Sequence, residues 1–250
     1  MVEMKKKGLK TKLINQIFVL VLLVLRFSFP ATSQLAVSQI NFDIFTQEEG
    51  LTNNLIQCIY QDKEGWMWIG TSQGLSRFDG YNFVNFLPNA NDTSSLNGNL
   101  VRVIWEDRNG RLLVGTENGG LNIFDRQKER FLNPYKNHPE LELKEVSVNA
   151  IKEDKSKNVW IGTDFNIFVI DTTDNLSPIH PKPFHSEINF EGNYVRNLQF
   201  DKKGKLWIGT DNRIFIYNPS TNEIEIFALP FGENLNKGIW EIYLDEERLI

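Results

Sequence analysis

The stretch Asp62-Lys63-Glu64-Gly65-Trp66-Met67-Trp68-Ile69-Gly70-Thr71 decides the fold, because the chain repeats it. An aspartate, a large apolar residue six positions later and an apolar-Gly-Thr triplet return at Asp107…Leu113-Val114-Gly115-Thr116. They return again at Asp154…Trp160-Ile161-Gly162-Thr163 and at Asp201…Trp207-Ile208-Gly209-Thr210. The aspartates lie 45, 47 and 47 residues apart, and Asp245 follows 44 residues after the fourth.

A period in the forties built from strand-forming residues is the mark of small sheets arrayed about an axis. The expected fold is all-β, a β-propeller of four-stranded antiparallel blades. The 250-residue sequence covers about four complete repeats and a fifth cut at Ile250, a partial ring of an expected seven blades. The repeats are expected near 52–90, 97–137, 146–189, 193–229 and 237–250. Such an arc would leave strand edges and apolar flanks uncovered at its ends, which favours association.

Within one repeat, a short apolar strand runs up to the aspartate: Leu55–Asp62, Leu100–Asp107, Val148–Asp154, Val195–Asp201 and Ile239–Asp245. This is expected to be the innermost strand. Aspartate followed by glycine three residues on, as at Asp62/Gly65, Asp107/Gly110 and Asp201/Gly204, reads as a tight turn. The third repeat has Lys157-Asn158 in place of the glycine; asparagine tolerates the left-handed region, so the turn is expected to survive with a shifted bulge. The second strand carries the tryptophan as a wedge between blades and the glycine as a point of close approach. Asp79-Gly80 signals a two-residue hairpin, and shorter outer strands are expected at Phe83–Phe86, Phe131–Tyr135 and Glu223–Phe227.

The N-terminus reads differently. Five lysines precede an apolar run over Leu13–Leu25, closed by Arg26 and followed by Ala31-Thr32-Ser33. This is the pattern of an export signal cut after Ser33, leaving a propeller domain over 34–250. An uncleaved anchor is the alternative, though the run is short for a span. Residues 1–33 hold six basic residues and one acidic one, so the remainder carries a formal charge of −10 against −5 for the whole. That balance argues against nucleic acid as a partner. Cys58 is the only cysteine and reads as a small buried hydrophobe.

The segments Phe42-Asp43-Ile44-Phe45-Thr46-Gln47-Glu48-Glu49-Gly50-Leu51-Thr52-Asn53-Asn54, Trp66–Gly80, Ser95–Asn99 and Gly119–Asp125 closely resemble two-component regulator propeller repeats. The resemblance spans roughly residues 40–250. It implies the N-terminal periplasmic sensor region of a hybrid two-component histidine kinase of the Bacteroidetes type. In that family two seven-bladed propellers and a β-sandwich lie outside the inner membrane. A membrane helix, kinase, receiver and DNA-binding module follow, and none is recognisable here. It further implies a carbohydrate-derived ligand such as an oligosaccharide. The implied partners are the remainder of a sensor kinase and a second copy in a homodimer, whose equilibrium the ligand shifts. The alternatives are a free-standing exported binding propeller, or a lyase of the antibiotic-cleaving propeller type, which uses histidine and a divalent metal.

Asp62, Asp107, Asp154 and Asp201 recur in every repeat, and so do Gly70, Gly115, Gly162 and Gly209. Trp68, Trp160 and Trp207 recur in three. Residues present throughout build blades rather than sites. His138, His180 and His185 have no cysteine or carboxylate at ligand spacing, so no metal, cofactor or catalytic set is expected. The informative position is the one that varies while the frame stays fixed. Five residues before each aspartate stand Gln57, Arg102, Asn149, Arg196 and Trp240. They are expected to ring the mouth of the central channel, where polar donors and an aromatic suit a hydroxyl-rich or anionic ligand. Plain solvation of the channel wall is the simpler alternative. The two arginines tilt the expectation toward an acidic saccharide.

Overall fold

The architecture is described from a computed structural model, which defines residues 42–132, 146–170, 182–183, 194–227, 238–245 and 248–249. The signal-like segment, the three histidines and most of the two loops around 136–145 and 174–189 lie outside the described residues.

Four antiparallel sheets of four strands follow one another along the chain. The first holds β1 (Ile56–Gln61), β2 (Met67–Thr71), β3 (Gly74–Phe78) and β4 (Phe83–Phe86). The second holds β5 (Val101–Glu106), β6 (Leu112–Thr116), β7 (Gly120–Asp125) and β8 (Arg130–Leu132). The third holds β9 (Val148–Glu153), β10 (Val159–Thr163), β11 (Ile167–Ile170) and β12 (Lys182–Pro183). The fourth holds β13 (Val195–Phe200), β14 (Leu206–Thr210), β15 (Ile214–Asn218) and β16 (Glu223–Phe227). A two-stranded pair, β17 (Leu244–Asp245) and β18 (Arg248–Leu249), comes last. Sequence-adjacent strands pair in each sheet, as a propeller blade requires.

The aspartate organises each blade. Its backbone carbonyl accepts from the amide three residues on: Gly65, Gly110, Lys157 and Gly204, at 3.0, 3.0, 3.1 and 3.0 Å. Its Oδ1 accepts from the amide four residues on: Trp66, Arg111, Asn158 and Lys205, at 2.9, 2.8, 2.8 and 2.8 Å. Its Oδ2 accepts from the indole N–H six residues on: Trp68 at 2.7 Å, Trp160 at 3.0 Å and Trp207 at 3.3 Å. In the second blade Leu113 offers no donor, and Arg111 Nε takes that place at 2.6 Å. The third turn corrects the sequence expectation. It is not shifted: Lys157 itself adopts φ 71°, the place of Gly65, Gly110 and Gly204. Asn158 instead donates its side-chain amide to Asp154 Oδ2 at 2.9 Å.

Blades meet front to back. Directly paired residues share a face of the sheet, so Gly70 and Trp68 look toward the second blade together with Cys58 and Tyr60. A Cβ at Gly70 would lie 2.7 Å from Val101 Cγ1, at Gly115 2.6 Å from Val148 Cγ1, and at Gly162 2.5 Å from Val195 Cγ1. Trp68 is fully buried among Val101, Ile104, Phe124 and Phe131 of the second blade. Trp160 packs with Val195, Leu198 and Phe215 of the fourth. The wedge expectation therefore holds, with a hydrogen bond fixing the angle of the wedge.

A cationic latch supplements the apolar contact. The residue after the aspartate reaches the next blade's turn: Lys63 Nζ to the Asp107 carbonyl at 2.7 Å, Arg108 Nη1 to the Lys155 carbonyl at 3.3 Å, and Lys155 Nζ to the Lys202 carbonyl at 2.8 Å. Arg126 also returns from the second blade to Asp62 Oδ2, at 2.9 Å.

The fifth segment departs from expectation. Of the strand expected over 239–245, only Leu244–Asp245 pairs as a strand. Ile239 donates its amide to the Thr210 carbonyl at 3.0 Å, and Ile239 and Ile242 lie against Gly209. Its start is thus docked on the fourth blade. Ile56 and Ile59 of the first blade, whose counterparts in later blades are buried, are 40% and 61% exposed.

Gly162→Ala is expected to lower unfolding free energy by roughly 1–3 kcal/mol, since the added methyl meets Val195 across a packed interface. Gly204→Ala, with open space around its Cβ position but φ +86°, should cost about 1 kcal/mol of backbone strain. Urea denaturation of the two variants checks the ranking. Burial would raise the Asp62 carboxyl, but hydrogen bonds from Trp68 and Arg126 overcome it and leave its pKa below the ordinary value. Its contribution is therefore present above the usual carboxylate range and is lost as pH falls through the depressed folded value. Denaturation at pH 7 and in stepped acid should show that loss in the wild type and a flatter acid limb in Asp62→Asn. At pH 7 that variant should be less stable by roughly 3 kcal/mol.

Candidate functional site

The four variable residues at the start of the innermost strands share a structural cause. In each blade the β-ladder skips one residue there. Ile56 pairs with Thr71 and Cys58 with Gly70, leaving Gln57 unpaired. Arg102, Asn149 and Arg196 are skipped in the same way. Each is the extra residue of a β-bulge, which re-aims a side chain out of the regular alternation. Trp240 is not a bulge residue, because residues 239–243 form no strand.

Three of the four bulge side chains meet the residue that follows the repeat threonine. Arg102 pairs with Glu117 at 3.0 Å and Arg196 with Asp211 at 2.7 Å. Asn149 donates to Asp164 at 2.9 Å. The threonine itself fixes this hairpin: Thr71, Thr163 and Thr210 donate to the carbonyls of Gly74, Asn166 and Arg213 at 2.9, 2.8 and 2.9 Å. Both arginines are thus matched by a carboxylate of their own blade. The expected tilt toward an acidic ligand loses its basis at these two positions, which present ion pairs rather than free cations. The Arg196 guanidinium lies between two rings, 5.0 Å from the Tyr194 centroid and 4.8 Å from Trp240. Trp240 is 64% exposed, so one aromatic face stands beside a guanidinium–carboxylate pair at the surface.

A second variable layer escapes the sequence reading. Two residues before each aspartate stand Tyr60, Trp105, Lys152, Gln199 and Tyr243. Tyr60 and Trp105 approach with ring centroids 6.2 Å apart, and Lys152 Nζ lies 5.0 Å from the Trp105 centroid. The same test of variation at fixed register marks this layer in the sequence. Ordinary strand alternation hides it.

At the opposite ends of the blades, where the aspartate turns lie, two clefts open: one of about 190 Å³ beside the Asp201 turn, Trp207 and Leu244, and one of about 230 Å³ between the turns of neighbouring blades. Arg108, Glu153, Lys155 and Lys203 line the larger, and burial pushes the Glu153 carboxyl up. None of the bulge residues lines either cleft. Burial also pushes the Cys58 thiol up to about 12, which removes it as a nucleophile at neutral pH. Among the described residues no group of histidine, cysteine and carboxylate side chains could hold a metal ion. Nor is any helix there long and apolar enough to cross a membrane.

Consecutive four-stranded blades, front-to-back glycine interfaces and non-repeating residues on bulges define a β-propeller scaffold with variable positions on a constant frame. Three stretches, residues 50–73, 142–165 and 189–212, match the family described as two component regulator propeller. Histidine kinase P4 of Formosa agariphila is 40% identical over 74 residues, which are 29% of this chain and 5% of that protein. The extracellular domain assigned to the hybrid two-component system BT3049 of B. thetaiotaomicron superposes with a TM-score of 0.51 at 22% identity. The match covers 83% of this chain and 33% of that one. A protein assigned as a gluconolactonase superposes with a TM-score of 0.54 at 11% identity, over 76% of this chain and 67% of that one. The structural matches establish the fold. The chain spans about a third of the extracellular domain it matches and a small part of the kinase.

Proposed function

We propose that this chain is the ligand-sensing propeller region of an exported two-component signal-transduction protein, and that it senses a carbohydrate-derived ligand at the face bearing the bulge residues. The observation that carries the proposal is the bulge at the start of every innermost strand. It takes Gln57, Arg102, Asn149 and Arg196 out of the blade's repeating pattern while the blades stay alike. Similarity of the repeats to a histidine kinase over 74 residues supports the signalling context. The extracellular placement of the BT3049 domain supports export to the periplasmic side.

The chemistry of the face suits a hydroxyl-rich ligand. Trp240 and Tyr194 offer ring faces on which a sugar's C–H surface can stack. Arg196–Asp211 and Asn149–Asp164 offer donors and acceptors together. Matched ion pairs select for hydrogen-bonding geometry rather than net charge, so neutral saccharides fit this face better than anionic ones. Signal transfer requires only that the ligand bind one arrangement of paired sensor regions more tightly than another. The rest of a sensor kinase and a second copy are the partners this mechanism calls for.

An oligosaccharide array identifies the ligand, and calorimetry on its best hit tests the site. Trp240→Ala should weaken binding roughly tenfold, the equivalent of about 1.4 kcal/mol, with the melting temperature unchanged. Replacing Arg102 and Arg196 together with alanine should also weaken binding. Each pair is only partly exposed and contributes about 1 kcal/mol or less to stability. Unaltered affinity in both variants overturns the assignment of the ligand to this face.

A further inference from the structure

The layer two residues before the aspartates contains a buried donor without an acceptor and, beside it, a half-buried cation without an ion pair. The Trp105 indole nitrogen is buried and makes no hydrogen bond. Among the described residues no carboxylate lies within ion-pair distance of Lys152 Nζ, although Glu241 acts on it electrostatically. Both side chains are half-buried on neighbouring innermost strands, with the ammonium over the indole face. Burial lowers the Lys152 pKa from its ordinary value, a sign that the charged form lacks full compensation. Tyr60 and Gln199, also half-buried, flank the pair on the strands either side.

An unpaired buried N–H and an uncompensated ammonium each cost free energy that an acceptor would recover. One group can serve both. An oxyanion carries negative charge for the ammonium and several lone pairs, so one oxygen can accept from the indole while another faces the cation. A neutral hydroxyl satisfies the indole but leaves the ammonium uncompensated. A cation-bearing group is repelled.

We propose that Trp105 and Lys152, flanked by Tyr60 and Gln199, form a binding site for an oxyanion group, a carboxylate or sulfate, on a small ligand. The site lies three residues along the innermost strand from the bulge ring, roughly 10 Å at the rise of a β-strand. It does not depend on the signalling role. It also separates two tasks, with the ion-paired bulge ring reading hydroxyls and this layer reading charge.

Proton–nitrogen correlation spectra of the ¹⁵N-labelled full chain test it, with Trp105→Phe assigning the Trp105 indole signal. D-glucuronate should shift that signal saturably, whereas D-glucose at equal concentration should leave it in place. Glucose 6-sulfate as a third arm tells which oxyanion is preferred. Lys152→Met should weaken the glucuronate titration at least tenfold, and Lys152→Arg, which keeps the cation, should retain it. An unmoved signal, equal shifts with glucose and glucuronate, or an unchanged titration in Lys152→Met overturns the proposal. If Lys152→Met does not fold, the comparison of glucose with glucuronate on the wild-type chain still decides.

Discussion

A single carboxylate, buried in the first two blades and half-buried in the next two, holds each blade in shape. A carboxylate moved out of water must find compensation for its charge, and here it finds it within the next six residues of chain. One oxygen closes the turn by accepting from the amide four residues on, and the other takes the indole N–H of the wedge. The turn and the second strand are thereby fixed to each other. The wedge then stands at a set angle to its sheet, and the next blade packs against a rigid surface. The second blade shows that the rule concerns the carboxylate rather than the tryptophan. With Leu113 at the wedge position, a guanidinium from Arg111 supplies the missing donor.

The fold was legible in the sequence because its determinants are local. Turn aspartate, wedge, glycine and threonine all lie within ten residues, and each has a short-range physical reason. The glycine expectation held because close approach leaves no room for a Cβ against Val101, Val148 or Val195. The third turn was misjudged because glycine and asparagine are the usual occupants of left-handed backbone, whereas Lys157 accepts it inside a turn the aspartate already closes. The fifth segment was misjudged for a different reason. Its apolar pattern is that of an innermost strand, but Ile239 gives its amide to the blade before it.

The candidate site was only half legible. Variation at fixed register pointed to Gln57, Arg102, Asn149 and Arg196, and the bulge explains why those positions are free to vary. Their charge state was not legible. The carboxylates that match Arg102 and Arg196 lie fifteen residues away in sequence and are brought alongside by strand register. The layer of Trp105 and Lys152 was missed because an aromatic and a lysine on a strand read as ordinary alternation. Only the unmet indole N–H of Trp105 and the ammonium of Lys152 laid over its ring, properties of three-dimensional packing, set them apart.

The bulge carries one more implication, about how such a protein changes over time. A residue skipped by the ladder contributes little to the pairing of its strand, and apart from Asn149, which donates to the Val195 carbonyl of the next blade at 3.1 Å, no bulge side chain bonds across a Gly–Val seam. Replacing Gln57, Arg102 or Arg196 therefore leaves the ladder and the seam in place. Mutations can accumulate at these positions without drawing on a small margin of stability. Each blade contributes one such position, so recognition can drift one blade at a time while the scaffold remains under strict selection.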